Sequence, residues 1–95
     1  MQTYRVAHLH HQGHNVALIE LDQTFQYQSL EQKQSALWSL QRSVAAAGLA
    51  GEVALVWEGS GGRTEFFTYQ KWQVYCQSID LNFVRYNVNK ELRCP

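Results

Sequence analysis

The sequence predicts an α+β fold, in which a four-stranded, mainly antiparallel sheet carries helices on one face in the order ββαββα. Four short runs of β-branched and aromatic residues predict the strands. One long segment with apolar residues at helical spacing predicts the main helix, and a second such segment closes the chain. With 95 residues, 45% of them hydrophobic, the chain is long enough for one core, so we expect a single two-layer domain over residues 1–95.

The first two strands are predicted over residues 3–10 and Asn15–Leu21. In the first strand, successive side chains point to opposite faces, so Tyr4, Val6 and His8 share one face. The second strand is rich in β-branched and other apolar residues. Between them, His11–His14 contains Gly13, at which a positive φ costs little. These features predict an antiparallel hairpin with a short loop.

The main helix is predicted to begin behind Ser29 and to run to about Ala47. Ser29 and Gln32 have the spacing of a capping box, in which each side chain bonds the backbone N–H of the other residue. Gly48, followed by the apolar Leu49, is typical of a Schellman ending. The face predicted to pack on the sheet consists of Leu30, Leu37, Leu40, Val44 and Ala47.

The second half of the chain repeats the order of hairpin and helix. Strands are predicted over Glu52–Glu58 and Arg63–Thr68, joined by a loop rich in glycine. The last third predicts a short helix and then a carboxyl-terminal helix of about 12 residues, capped by Asp80. The apolar stripe of this last helix is formed by Leu81, Val84, Val88 and Leu92.

Composition excludes several classes of protein. Eight basic and eight acidic side chains are scattered along the chain, whereas a nucleic-acid binder needs clustered Lys and Arg. The apolar runs are far shorter than the roughly 20 residues that span a bilayer, and no secretory signal pattern opens the chain. We therefore expect a cytoplasmic protein without membrane or nucleic-acid partners, whose Cys76 and Cys94 stay as thiols.

All four histidines of the chain, His8, His10, His11 and His14, fall within seven positions. Imidazole is a common ligand of zinc and other divalent transition metals, and His8 and His10 lie on the same face of a strand. This pattern allows a metal- or small-ligand-binding function, and otherwise no cofactor is expected. The same residues are also compatible with a plain polar hairpin end.

The loop between the third and fourth strands, here called the glycine loop, consists of Gly59, Ser60, Gly61, Gly62 and Arg63. Its successive backbone amides beside a guanidinium are candidates for an anion nest. The loop lacks the lysine and the strand-to-helix context of a P-loop, and Ser60 lacks the spacing of a serine nucleophile. The sequence therefore favours a plain hairpin turn at this loop. It indicates no catalytic residue, so we expect a protein that is not an enzyme.

Aromatic residues make up 13% of the chain and fall mostly in its second half. Phe66 and Phe67 are adjacent, so they point to opposite faces of their strand, and one of them is expected on an open sheet face or an edge. Aromatic side chains are enriched at protein–protein interfaces. We expect a non-enzymatic interaction protein, a homodimer or a binder of a protein partner, with the interface candidates Trp57, Phe66, Phe67, Trp72 and Tyr75.

The segment Ala47–Trp57, followed by Gly61-Gly62-Arg63, Trp72 and Ser78-Ile79, resembles short uncharacterised bacterial reading frames, including those carried as mobile gene cassettes. The resemblance covers the second half of the chain and contains no recognised motif. It implies an accessory role in a bacterial cytoplasm and brings no activity and no site residue with it.

Overall fold

The computed structural model describes residues 2–94, which form one mixed sheet and three α-helices. In chain order these elements are β1 (Gln2–His11), β2 (His14–Glu20), α1 (Leu30–Ala46), β3 (Glu52–Glu58), β4 (Thr64–Thr68), α2 (Gln73–Gln77), α3 (Leu81–Tyr86) and β5 (Lys90–Cys94). The α+β class is thereby confirmed, together with the order ββαββ followed by helix.

The sheet has five strands in the order β4-β3-β2-β1-β5. Strand β1 pairs antiparallel with β2 and with β5, and β3 pairs antiparallel with β4. The central pair β2 and β3 is parallel, which requires a long crossover connection, and α1 lies within that connection. The predicted count of four strands is wrong, because a fifth strand completes the sheet.

The predicted carboxyl-terminal helix ends early, at Tyr86, and the chain then returns to the sheet as β5. The side chain of Asn89 starts this return: the backbone N–H of His8 donates to its Oδ1 at 2.8 Å, and its Nδ2 donates to the His8 carbonyl at 2.9 Å. Leu92 is buried, as its helical spacing predicted, but it lies opposite Tyr4 in a strand. Pairing with β1 therefore overrides the helical spacing.

Helices cover both faces of the sheet, so the predicted two-layer arrangement with helices on one face is wrong. The face covered by α1, here the α1 face, buries Val6, Ala17, Ile19, Leu37, Leu40, Val44, Val53, Leu55, Trp57 and Leu92. The opposite α2/α3 face buries Ala7, Val16, Leu18, Ala54, Val56, Trp72, Cys76, Leu81 and Val84. Strands β2 and β3 are buried on both faces, which explains why they are almost continuously apolar.

Helix α1 confirms the predicted termini. The Gln32 N–H donates to Ser29 Oγ at 3.1 Å and the Ser29 N–H donates to Gln32 Oε1 at 3.0 Å, which completes the capping box. At the other end, the Leu49 N–H donates to the Val44 carbonyl at 3.1 Å around Gly48, which has a φ of 79°.

Among residues 2–94, none of the helices combines the length and the apolar character that a membrane span requires.

Gly51 holds the turn between α1 and β3. It has a φ of 102°, and a Cβ there would clash with the backbone oxygen of Asn15. The side chain of Gln41 on α1 brackets the same turn, accepting from the Val53 N–H at 2.8 Å and donating to the Gly51 carbonyl at 3.0 Å. The crossover therefore enters β3 at a defined position against β2.

Candidate functional site

The two edges of the sheet differ in charge. Three of the five residues of β5 are charged, and its Arg93 and Glu91 form an ion pair at 3.5 Å on the exposed side. Charged side chains on an edge strand oppose pairing with another chain. The other edge, β4, has the sequence Thr-Glu-Phe-Phe-Thr with Glu65 as its one charge. Strand β4 is therefore the less protected edge.

The backbone of β4 directs polar groups away from the sheet. The Gly59 N–H donates to the Arg63 carbonyl at 2.7 Å, which sets the phase of hydrogen bonding in this hairpin. Antiparallel pairs alternate between bonded and non-bonded positions, so Thr64, Phe66 and Thr68 turn their N–H and C=O groups outward. These groups form the pattern that a further strand would bond.

Phe66 and Phe67 lie on opposite faces of β4, as the strand period predicted. Phe66 packs against the cluster under α2 and α3, and Phe67 packs against the α1 cluster. Both side chains stay partly exposed because, within residues 2–94, no strand flanks them on the outer side. The expected open sheet face is wrong, since helices cover both faces, and Phe66 and Phe67 lie at the edge of the sheet instead.

Trp57 and Trp72 belong to the core, each with 3% of its surface exposed, and do not provide the expected docking surface. The ring of Trp57 meets Phe25 edge-on at 4.9 Å, and the Lys33 ammonium lies 5.3 Å from its centroid. Its Nε1 is buried without a hydrogen-bond partner among the described residues. Trp72 packs on the α2/α3 face, where Tyr75 is half-buried beside it.

The glycine loop uses its amides internally. Besides the Gly59 bond, the Gly62 N–H donates to the Gly59 carbonyl at 3.2 Å and the Ser60 N–H donates to Gln26 Oε1 at 3.1 Å. The Gln26 amide in turn donates to Ser60 Oγ at 3.1 Å. These bonds occupy donors that an anion nest would need, so the geometry supports the hairpin-turn interpretation.

The four histidines divide between the two faces of the sheet. His8 and His10 lie on the α1 face, where the His8 Nε2 donates to the Ala50 carbonyl at 2.7 Å and the His10 Nδ1 donates to Asn15 Oδ1 at 3.0 Å. His11 and His14 form the last pair of the β1–β2 ladder and meet groups from α2 and the turn before it. Within residues 2–94 no three His, Cys, Asp or Glu side chains are grouped as metal ligands.

The end of the hairpin and α2 enclose a groove of about 450 Å³, here called the hairpin groove. Its walls include His11, His14, Lys71, Trp72, Val74 and Tyr75. Four of these six side chains were candidates from the sequence, whereas Lys71 and Val74 were not. Lys71 lies 57 positions from His14 in the chain, so no local spacing signals the grouping.

Lys71 is the cation of the hairpin groove. Its ammonium donates to Nδ1 of His14 at 3.1 Å, because an ammonium has no acceptor. It also lies 3.9 Å from Glu52 Oε1 and 5.8 Å from the Trp72 ring centroid, with its side chain about half exposed at 48%. The same Glu52 oxygen accepts from Trp72 Nε1 at 3.1 Å. Lys71 is thus positioned by three groups while its head still faces solvent.

Tyr75 provides the flat wall of the hairpin groove. Its ring centroid lies 4.4 Å from that of His11 and 5.6 Å from that of Trp72. Burial, and to a smaller degree the neighbouring Cys76, raises the pKa of the Tyr75 phenol. The phenol is therefore neutral and adds no negative charge near Lys71.

A second groove, of about 550 Å³, lies beside the ends of β1 and β2 and carries mostly compensated charge. Here Arg85 from α3 binds Glu20 through two nitrogens, at 2.8 Å and 3.1 Å. Hydrogen bonding to Glu20 and its charge raise the pKa of the Arg85 guanidinium. Arg5 and Asp22 also line this groove, so two arginines are balanced there by two carboxylates, whereas the described lining of the hairpin groove includes no carboxylate.

Fold and sites together define a small α+β domain that has a mixed five-stranded sheet between two helical layers, one weakly charged edge strand and one groove with a single cation. Comparisons with protein-family models, with curated proteins and with solved structures found no match.

Proposed function

We propose that this chain is a non-enzymatic interaction protein that forms a homodimer by pairing β4 with β4 of a second copy. The observation that carries the proposal is the edge itself, where Phe66 and Phe67 are partly exposed beside outward backbone groups. Strand addition at such an edge gives affinity through main-chain hydrogen bonds and through the side chains on both faces. A two-fold pairing also removes the exposed edge from both copies.

One register suits β4 particularly well. Centred on Phe66, an antiparallel pairing places Phe66 opposite its own copy and Thr64 opposite Thr68. Glu65 then lies opposite Phe67, so no like charges face each other across the interface. The outward backbone groups of both strands meet in this register. The same pairing at β5 would bring a strand with three charged residues of five out of water.

A residue outside the sheet edges, Cys76 on α2, supports a cytoplasmic setting. Cys76 is a free, buried thiol, which a reducing compartment preserves. We therefore place the dimer in the cytoplasm, in the accessory role that the resemblance to bacterial gene-cassette proteins implies. A heterologous protein that adds its own strand to β4 is the second arrangement compatible with this edge.

The test compares substitutions at the two edges. Phe66→Lys puts two ammonium groups together at the proposed two-fold axis, and we expect native mass spectrometry and light scattering to show a monomer at micromolar concentration. Glu91→Lys makes a charge change on the exposed side of β5, and we expect it to remain a dimer. Circular dichroism of both variants verifies that the fold is kept.

Amide exchange in the unsubstituted protein gives an independent measurement. In the dimer the Phe66 N–H is bonded to the other copy, so its exchange slows as protein concentration rises. A protein that is monomeric at micromolar concentration, with a rapidly exchanging Phe66 N–H, would contradict the proposal. So would a Phe66→Lys variant that folds and remains a dimer.

A further inference from the structure

The hairpin groove combines one cation with apolar walls. Of the described residues that line it, none is a carboxylate, whereas Lys71, His11 and His14 are all basic side chains. Trp72, Val74 and Tyr75 supply the apolar part of the lining. A site of this kind complements a ligand that has one negative charge and an apolar body.

We propose that the hairpin groove binds a small organic monocarboxylate with a flat apolar body, whose carboxylate accepts from the Lys71 ammonium. The ammonium has three protons and donates one of them to His14. Glu52 lies at 3.9 Å, a long distance for a hydrogen bond, and its oxygen is already bonded to Trp72. Lys71 therefore keeps donor capacity toward the open groove.

The walls determine the shape of the ligand body. The Tyr75 ring is tilted by 40° against His11 and presents a flat surface, and Val74 beside it is 77% exposed. Stacking on the first and covering the second would remove apolar surface from water, at roughly 25 cal/mol per Å². The groove volume of about 450 Å³ falls in the ordinary range for small-molecule sites.

The donor set also selects the charge of the ligand. A phosphate group is recognised best by several donors or by a bidentate arginine. The described residues that line this groove include one ammonium and no arginine. A bound metal would need a third ligand, which the described residues do not group here. A single carboxylate matches a single ammonium.

The test uses 2-naphthoate as the probe and 2-naphthamide as its uncharged counterpart. We expect naphthoate to shift the amide resonances of residues 71–78 and of the hairpin end on titration. The Lys71→Met variant keeps the length of the side chain and removes the charge, and we expect it to weaken naphthoate binding about tenfold. Naphthamide should bind the unsubstituted protein more weakly by a similar factor.

Lys33→Met is the matched control, because Lys33 also lies over a tryptophan ring but on the α1 face, away from the hairpin groove. We expect this variant to bind naphthoate as the unsubstituted protein does. Equal binding by Lys71→Met, equal binding of naphthamide, or no shift at the groove would each overturn the proposal. Lys71 is half exposed, so we expect Lys71→Met to keep the fold, which circular dichroism verifies.

This inference goes beyond the dimer and does not depend on it. The hairpin groove is formed by one copy of the chain and does not include β4. We therefore expect the Phe66→Lys monomer to bind naphthoate with unchanged affinity. Loss of binding in a folded monomer would overturn the proposal, because the site would then need the second copy.

Discussion

The two faces of the sheet are covered in different ways. On the α1 face a single helix of 17 residues packs across the strands, with a capping box at one end and a glycine ending at the other. On the α2/α3 face two helices of five and six residues cover the strands. A long helix carries its own stabilising bonds, whereas helices of this length are not stable alone and depend on the strands beneath them. The hairpin groove lies on the face with the short helices, where α2 and the turn before it, which carries Lys71, meet the end of the β1–β2 hairpin.

The largest expected effect on the free energy of unfolding comes from replacing two equally buried leucines, one on each face of the sheet. Leu55 and Leu18 are both fully buried on neighbouring strands, but Leu55 faces α1 and Leu18 faces the short helices. We expect each Leu→Ala substitution to lower the free energy of unfolding by about 2–5 kcal/mol. Leu55→Ala should cost more, because the short helices can move into the cavity and α1 cannot. Urea denaturation measures both, and a larger cost at Leu18 would contradict the comparison.

The next effect concerns Cys76 on α2. Burial raises the pKa of its thiol to about 11, from its ordinary value near 9.0. Between about pH 9 and pH 11 the thiol is ionised in the unfolded state but still protonated in the folded state. The free energy of unfolding therefore falls as the pH rises from about 9 to about 11, by on the order of 2 kcal/mol. We expect Cys76→Ala to reduce this slope in denaturation at several pH values. Val84→Ala, on the same face and without a titrating group, should keep the slope.

The smallest effect compares the two helix caps. Ser29 caps α1, and Asp80 caps α3 by accepting from the Phe83 N–H at 2.8 Å. Each substitution by alanine removes a cap worth about 1 kcal/mol. We expect Ser29→Ala to lower the global free energy of unfolding by that amount, and Asp80→Ala to speed amide exchange mainly within α3. Faster exchange across the whole sheet in Asp80→Ala would show that α3 unfolds only with the rest of the protein.

The candidate sites were predictable to the extent that they depend on local spacing. The opposite orientation of Phe66 and Phe67 follows from the two-residue period of a strand. The grouping of Lys71 with His14 and Tyr75 does not, because it depends on where α2 meets the hairpin end. Likewise, the alternation that gathers His8 and His10 on one face also places His11 on the other, so the sequence cluster never becomes one spatial cluster.

The sequence by itself determined the elements whose signals are local: the β1–β2 hairpin, helix α1 with both of its ends, and strands β3 and β4. Capping bonds, turn glycines and the alternation of side chains along a strand act within a few residues, so the sequence predicts them directly. Only the tertiary structure decided that residues 90–94 form a strand and that helices cover both faces. The spacing of Leu81, Val84, Val88 and Leu92 fits one helix, but an edge of β1 open to hydrogen bonds stabilises a fifth strand more. Such long-range pairing depends on backbone groups far apart in sequence, which no local pattern records.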